Sequence, residues 1–203
     1  MNTLEFIFVV VAYLFGSLSA AIITSRLMGL QDPRTGGSGN PGATNVLRLG
    51  GKKAAIFTLL GDSLKAVIPV LLVKALGYTP FVLGLVAVAA FVGHLYPVFF
   101  RFQGGKGVAT AAGAILALDW HIGLALLAVW LGMAVVFRYS SLAALTASIA
   151  SPLLALWLNQ DYFWPCLFMS VLLIWRHQSN IRKLLAGQED KIGSKKKTAE
   201  NAE

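Results

Sequence analysis

Seven apolar runs follow one another along this chain with short polar segments between most of them, at 4–25, 54–73, 81–100, 108–118, 122–137, 142–158 and 162–175. Inside hydrocarbon a backbone has no water to bond to, so each run is expected to be an α-helix that satisfies its own N–H and C=O groups. Several fall short of the roughly 20 residues that cross an average bilayer core. The run 108–118, short and rich in alanine and glycine, is the weakest candidate. Of the 203 residues 57% are hydrophobic and 13% charged, which excludes an ordinary soluble domain. The expected fold class is therefore an all-α integral membrane protein with seven transmembrane helices. Residues 1–185 would form a single polytopic domain, and 186–203 a basic, disordered tail.

Orientation follows from the basic residues, which stay on the cytoplasmic side. With the N-terminus outside, every Lys and Arg except Lys65 and Lys74 falls on the inner side, 15 of 17; six crossings would scatter the later charges. The C-terminus is then expected to be cytoplasmic. Ser17-Leu18-Ser19-Ala20 looks like a signal-peptide cleavage site, but Glu5 and no basic residue precedes the apolar run, so this segment is expected to remain as a span. The single Cys166 gives neither a disulfide framework nor a cysteine metal site.

That topology brings four polar segments to one face. The first, 36–48, combines glycines with Ser38, Asn40, Thr44 and Asn45 and ends in Arg48. Glycines let backbone N–H groups turn toward an anion, small polar side chains add neutral donors, and a guanidinium offers a planar fork matched to phosphate oxygens. Composition alone would make it a plain connector. The other segments are Gly104-Gly105-Lys106-Gly107, Tyr139-Ser140-Ser141, and 176–182 with His177 and Asn180. Their convergence argues for a pocket open to the cytoplasm and the inner leaflet.

Several alternatives fall on the residues themselves. The Lys106 segment is no nucleotide-binding P-loop, because Gly107 replaces the Ser or Thr and Phe100 stands where the first glycine belongs. Alone, Lys106 reads as a topology-setting cation. His177 alone reads as an interfacial side chain, and His94, before Tyr96-Pro97, as an interface anchor at a helix end. The fifth residue after His94, His121 and His177 is Phe99, Leu126 and Arg182, so the His-plus-Asp pattern of many acyltransferases is absent. Asp62 and Lys65 share a helical face within the second run, where a self-neutralising structural pair is favoured over a functional one. Asp32 and Asp62 form no metal array, and no metal or cofactor is expected.

The segments Gly37-Ser38-Gly39-Asn40-Pro41-Gly42-Ala43-Thr44-Asn45, Gly104-Gly105-Lys106-Gly107-Val108-Ala109-Thr110 and His177 with Asn180-Ile181 resemble the three cytoplasmic motifs of the bacterial glycerol-3-phosphate acyltransferase PlsY family. The resemblance covers nearly the whole chain, in order and at the family's spacing. It implies a seven-span enzyme that acylates the first hydroxyl of glycerol 3-phosphate to give lysophosphatidic acid. It further implies that Arg48 and Lys106 hold the acceptor's phosphate and that His177 and Asn180 position its glycerol end. The loop residues Ser38, Gly39, Asn40, Gly42, Thr44 and Asn45, helped by Ser141 and the glycines 104, 105 and 107, would cradle phosphoryl groups. The acyl chain would lie in an apolar groove open to lipid.

Without a carboxylate-backed His or an activated Ser or Cys, direct transfer remains rather than an acyl-enzyme. The base would be His177 or the donor's own phosphate, and the resemblance favours the phosphate. Acyl phosphate is the expected donor, with acyl carrier protein and coenzyme A thioesters as alternatives. The expected state is a monomer in contact with membrane lipid and without nucleic acid. An anion transporter is the rival class, but apart from the second run few polar groups would line its path outward.

Overall fold

The computed structural model describes residues 1–193; Lys195, Lys196 and Lys197 of the expected tail lie outside the described residues. Nine α-helices occur in this range, with two single 3₁₀ turns: α1 Thr3–Gly16, α2 Ala20–Leu27, α3 Ala43–Ala75, α4 Pro80–Leu95, α5 Val108–Leu118, α6 Trp120–Phe137, α7 Ser140–Leu158, α8 Phe163–Arg176 and α9 Gln178–Leu185. Four of these elements are long and apolar enough to cross a membrane: α3, α4 with its following turn, α6 and α7. Counting the bent pair α1–α2 as one span makes five. Helix α5, with 11 residues, is only about 16 Å long at 1.5 Å per residue.

The outer surface fits hydrocarbon rather than water. Helix α6 buries only Ile122, Gly123 and Leu126, while Val135 and Val136 are 76% and 71% exposed. Leu60, Leu64, Ile68, Leu71 and Leu72 of α3 are likewise about half exposed. A helix apolar on every side that stays uncovered needs lipid around it. The core runs along α4, whose Val86, Ala87, Ala90 and Phe91 are inaccessible. Helix α1 packs on α4, α3 on α5, and α6 on α7, which also meets α8.

Close backbone approach, not large side chains, sets the α1–α4 contact. A Cβ on Gly16 would lie 2.1 Å from the Ala90 carbonyl oxygen, and one on Gly93 2.2 Å from that of Tyr13. Small residues at such crossings let membrane helices pack where no hydrophobic drive separates helix from lipid. At the far end a single residue, Asp119, joins α5 to α6. It caps α6 by accepting from the His121 N–H at 2.8 Å and receives the Asn159 amide at 2.9 Å. Lys74 donates to the Ala117 and Leu118 carbonyls at the end of α5, where a cation suits the helix dipole.

The first apolar run is not one helix. It breaks between Gly16 and Ala20, and α1 and α2 meet at about 40°. The break frees backbone groups, and buried ionic side chains take them up. Lys65 Nζ donates to the Leu18 carbonyl at 2.8 Å, and Asp62 Oδ1 accepts the Ala20 N–H at 3.3 Å. Lys65 spends its other protons on Asp62 Oδ1 at 2.9 Å and His94 Nδ1 at 2.8 Å. All three ammonium N–H groups thus have an acceptor. His94 is therefore buried within an ionic cluster, not an interface anchor. The Asp62–Lys65 pair has the structural role that its spacing suggested.

Candidate active site

At the end of the bundle opposite Asp119, the break inside α3 sets the first loop against the membrane helix. Gly51, at φ 77° and ψ −173°, separates the piece starting at Ala43 from the membrane-length remainder. The loop before it is braced from within. Asn45, 2% exposed, accepts the Ser38 N–H on Oδ1 at 2.8 Å. Its amide donates to the carbonyls of Pro33 at 2.8 Å and Gly36 at 3.0 Å. Asn45 is thus spent on the shape of the loop, and its side chain is not left over for a ligand. A Cβ on Gly37 would come within 2.1 Å of its oxygen. Ser38 and Gly39 stay exposed, and Asn40 helps to close the turn by accepting the Gly42 N–H at 2.9 Å.

The second loop is packed as closely. The Gly105 N–H donates to the His94 carbonyl at 3.2 Å, and a Cβ on Gly105 would sit 2.3 Å from His94 Nε2. Arg176, at the end of α8, donates to the Gly104 carbonyl at 3.0 Å and to that of Gly105 at 3.2 Å while lying over the Tyr96 ring. This clamp was not identified from the sequence, where Arg176 served only as a topology charge. Gly107, at φ 87°, then opens α5, so Lys106 stands one residue before a helix N-terminus, where N–H groups are free for an anion.

The four polar segments meet through two carboxylates that sequence reasoning missed. Glu189 Oε1 accepts from Ser141 Oγ and from Asn180 Nδ2, each at 2.6 Å, and Asn180 Oδ1 accepts from Lys106 Nζ. Asp190 lies 3.4 Å from Arg48, and Thr44 and Ser140 join their hydroxyls at 3.2 Å. The Ile192 N–H bonds to the Arg138 carbonyl. Residues 189–192, assigned by sequence to the tail, thus fold back over the site. The signal available was two adjacent acids on a face otherwise dominated by cations. Lys106, Asn180, Ser141 and Arg48 are brought into this network. Ser38, Gly39 and Asn40 lie in the braced turn, and Gly39 and Pro41 share a cavity of about 350 Å³ with Gly104 and Arg176.

Electrostatics distinguish the two titratable groups at the centre. Burial lowers the Lys106 ammonium from its usual range, against the pull of Glu189 and with the push of Lys183, Arg176 and Arg48. His177, 2% exposed, is pushed down to about 4, chiefly by burial. Its ring is therefore neutral at pH 7. Nδ1 lies 2.8 Å from the Leu173 carbonyl, to which it can only donate, leaving Nε2 as the acceptor. A backbone carbonyl rather than a carboxylate orients this histidine. The arrangement offers cations and N–H donors to a phosphate and a neutral imidazole to a hydroxyl. Among the described residues no group of His, Cys, Asp and Glu could hold a metal ion.

Residues 6–187 match the family model described as glycerol-3-phosphate acyltransferase. The chain belongs to this family. A glycerol-3-phosphate acyltransferase of Burkholderia multivorans is 57% identical over 94% of this chain and 92% of its own. One of Methylococcus capsulatus is 53% identical over 95% and 98%. Among solved structures, the glycerol 3-phosphate form of PlsY, an integral membrane glycerol 3-phosphate acyltransferase, matches with a TM-score of 0.88 and 41% identity, covering 93% of this chain and 96% of that one. Its lysophosphatidic acid form matches at 0.85 and 39%, covering 92% and 94%. Family membership and the all-helical PlsY-like membrane fold thus agree with the resemblance carried by the motifs.

Proposed function

We propose that this membrane acyltransferase moves a fatty acyl group from acyl phosphate to the sn-1 hydroxyl of glycerol 3-phosphate, forming lysophosphatidic acid and inorganic phosphate at the start of phospholipid synthesis. It works as a monomer in a bacterial inner membrane, with seven crossings, a periplasmic N-terminus and the site facing the cytoplasm. The count of seven takes α1–α2 as one span and lets the short α5 and α8 cross by tilt or local thinning of the bilayer.

The observation that carries this reading is the cluster of Lys106, Asn180 and Ser141 around Glu189, with Arg48 beside it on Asp190. Arg48 and Lys106 take the phosphate of glycerol 3-phosphate, while Asn180 and His177 Nε2 receive its glycerol hydroxyls. Ser38, Thr44, Ser141 and the N–H groups of the glycine loops hold the donor's phosphoryl group. Glu189 fixes the rotamers of Ser141 and Asn180. The glycerol oxygen attacks the acyl carbonyl carbon, the bond from that carbon to the phosphate oxygen breaks, and the proton passes to the departing phosphate. A neutral histidine held by a carbonyl suits orientation better than proton abstraction, so the protein contributes position and positive charge.

The test reconstitutes purified protein with glycerol 3-phosphate and, in separate reactions, acyl phosphate, acyl carrier protein thioester or acyl coenzyme A, and measures lysophosphatidic acid. Product with acyl phosphate alone is expected. Product only from a thioester would reassign the donor, and none from any donor would remove the enzymatic reading. His177→Ala should act chiefly on KM for glycerol 3-phosphate; a kcat loss of several decades at unchanged KM would make His177 the base.

A further inference from the structure

Beside the site, sharing Arg34 and Gln103 with its cavity, lies a second cavity of about 460 Å³. The guanidinium-bearing residues Arg26, Arg34 and Arg101 line it, together with Thr35, Phe99 and Phe100. Three arginines around one space repel one another unless anions accompany them. Arg34 has its own, Asp32, whose carboxylate it meets at 2.7 Å; the contact holds that carboxyl below its usual range. Among the described residues the guanidinium of neither Arg26 nor Arg101 has a hydrogen-bond or close ion-pair partner, and Arg26 acts on the Asp32 carboxylate only from further off. Arg101, with no counter-ion, and Arg26, which shares Asp32 with Arg34, therefore face a cavity that none of the proposed acyl-transfer roles uses.

The rim shows what kind of anion fits. Phe99, which lines the cavity two residues before Arg101, is 57% exposed, and Phe100 lines it beside Arg101. Water alone is a poor neighbour for such side chains, and a small soluble anion would cover none of them. An anion with acyl chains covers both the charges and the rim. The backbone holds this arrangement: Arg101 and Phe102 lie at φ 54° and 58°, and the Phe102 N–H donates to the Pro97 carbonyl at 2.9 Å.

We propose that this cavity binds the headgroup of an anionic phospholipid, its phosphate between Arg26 and Arg101 and its chains against Phe99 and Phe100. Cationic pockets at the cytoplasmic ends of membrane helices are suited to such headgroups. The site rests on the cavity's own charges and rim, independently of the acyl-transfer reading.

The experiment is native mass spectrometry of the full chain released from mixed micelles with equimolar phosphatidylglycerol and phosphatidylcholine. Wild type should retain phosphatidylglycerol preferentially. The double variant Arg26→Ala/Arg101→Ala should lower that preference about 25-fold, at roughly fivefold per arginine near a lipid surface. Arg182→Ala, an exposed cation of α9, should leave it in place. Turnover of the double variant in phosphatidylcholine vesicles should match wild type, which separates this site from the catalytic one and shows that the variant folds. An unaltered preference in the double variant overturns the proposal. So does displacement of the lipid by millimolar inorganic phosphate, or by an acidic carrier protein, since either would assign the arginines to a soluble partner.

Discussion

Two charged clusters share this molecule, only a glycine loop apart, and they differ in who supplies the counter-charge. Asp62, Lys65 and His94 are sealed between helices, with Asp62 and Lys65 no more than 4% exposed at the side chain. Every proton of Lys65 has an acceptor from the fold, one of them a carbonyl freed by the α1–α2 break. Around Lys106 the side chains come from segments far apart in sequence, and Arg48 and its partner Asp190 are 28% and 44% exposed. There the cations Arg48, Lys106 and Arg176 face two carboxylates at the end of the described chain. The first cluster is complete without a ligand. The second has room and charge for one.

The sharpest way to break the comparison is to remove one member of the sealed cluster. Asp62→Ala strands Lys65 in a buried site and should cost about 3–5 kcal/mol, whereas Asp62→Leu with Lys65→Met, which removes both charges, should recover part of it, the Leu18 carbonyl and Ala20 N–H losing their partners. Thermal unfolding in detergent reads both. If the single variant were as stable as wild type, Asp62 would not be the structural counter-ion.

The pH dependence of stability comes next in size. Native His177 stays neutral down to about 4, while the unfolded ring protonates near 6.5. As pH falls from 6.5 toward 4 the unfolded state therefore binds a proton that the native state refuses, and stability is lost. The loss amounts to roughly 3 kcal/mol at the lower end. His177→Gln should flatten that part of the melting-temperature profile, after subtraction of the carboxylates that also titrate there. An unchanged slope would mean that the ring is solvated.

Smaller effects sharpen the boundary between the clusters. Arg176→Ala removes the clamp on Gly104 and Gly105 and should raise KM for glycerol 3-phosphate about tenfold with kcat changed less, on the scale of one or two charge-assisted bonds. Initial-rate kinetics would show this; a pure kcat effect would detach the clamp from acceptor binding. Smallest is Asp190→Asn, which frees Arg48 of an exposed carboxylate. A pair of this kind is worth up to about 1 kcal/mol, so KM should fall two- to fivefold. A rise instead would make Asp190 part of the acceptor site.

How much of this could be read beforehand depends on where each partner sits. Lys106, Arg48 and the glycines stood out because their chemistry is local: a cation beside backbone without Cβ atoms is visible in a few residues. Arg176 and Glu189 were not legible, since Arg176 acts on glycines and Glu189 on Ser141 dozens of residues away, and Glu189 lay in a stretch whose basic composition suggested a solvated tail. His94 was misread for the same reason: its neighbours Tyr96-Pro97 suggested an interface, while its ionic partner Lys65 lies on another helix. The run 4–25 carries a local sign of its break in Gly16-Ser17 and in Ser19, the N-cap of α2, but its unbroken apolar character read as one span. The interruption is held by Ser19, whose hydroxyl accepts the Ile22 N–H, and by the acceptor and donor that Asp62 and Lys65 bring to the freed backbone.

The central claim, that the open cluster is a phosphate site, is tested most directly by calorimetric titration of glycerol 3-phosphate into wild type and Lys106→Ala with no acyl donor present. Loss of a buried charged partner to the phosphate should weaken binding at least about 30-fold, at 2–5 kcal/mol for truncation of one member of such a pair. Equal affinity in the two proteins would contradict the account, because the acceptor's phosphate would then be held elsewhere.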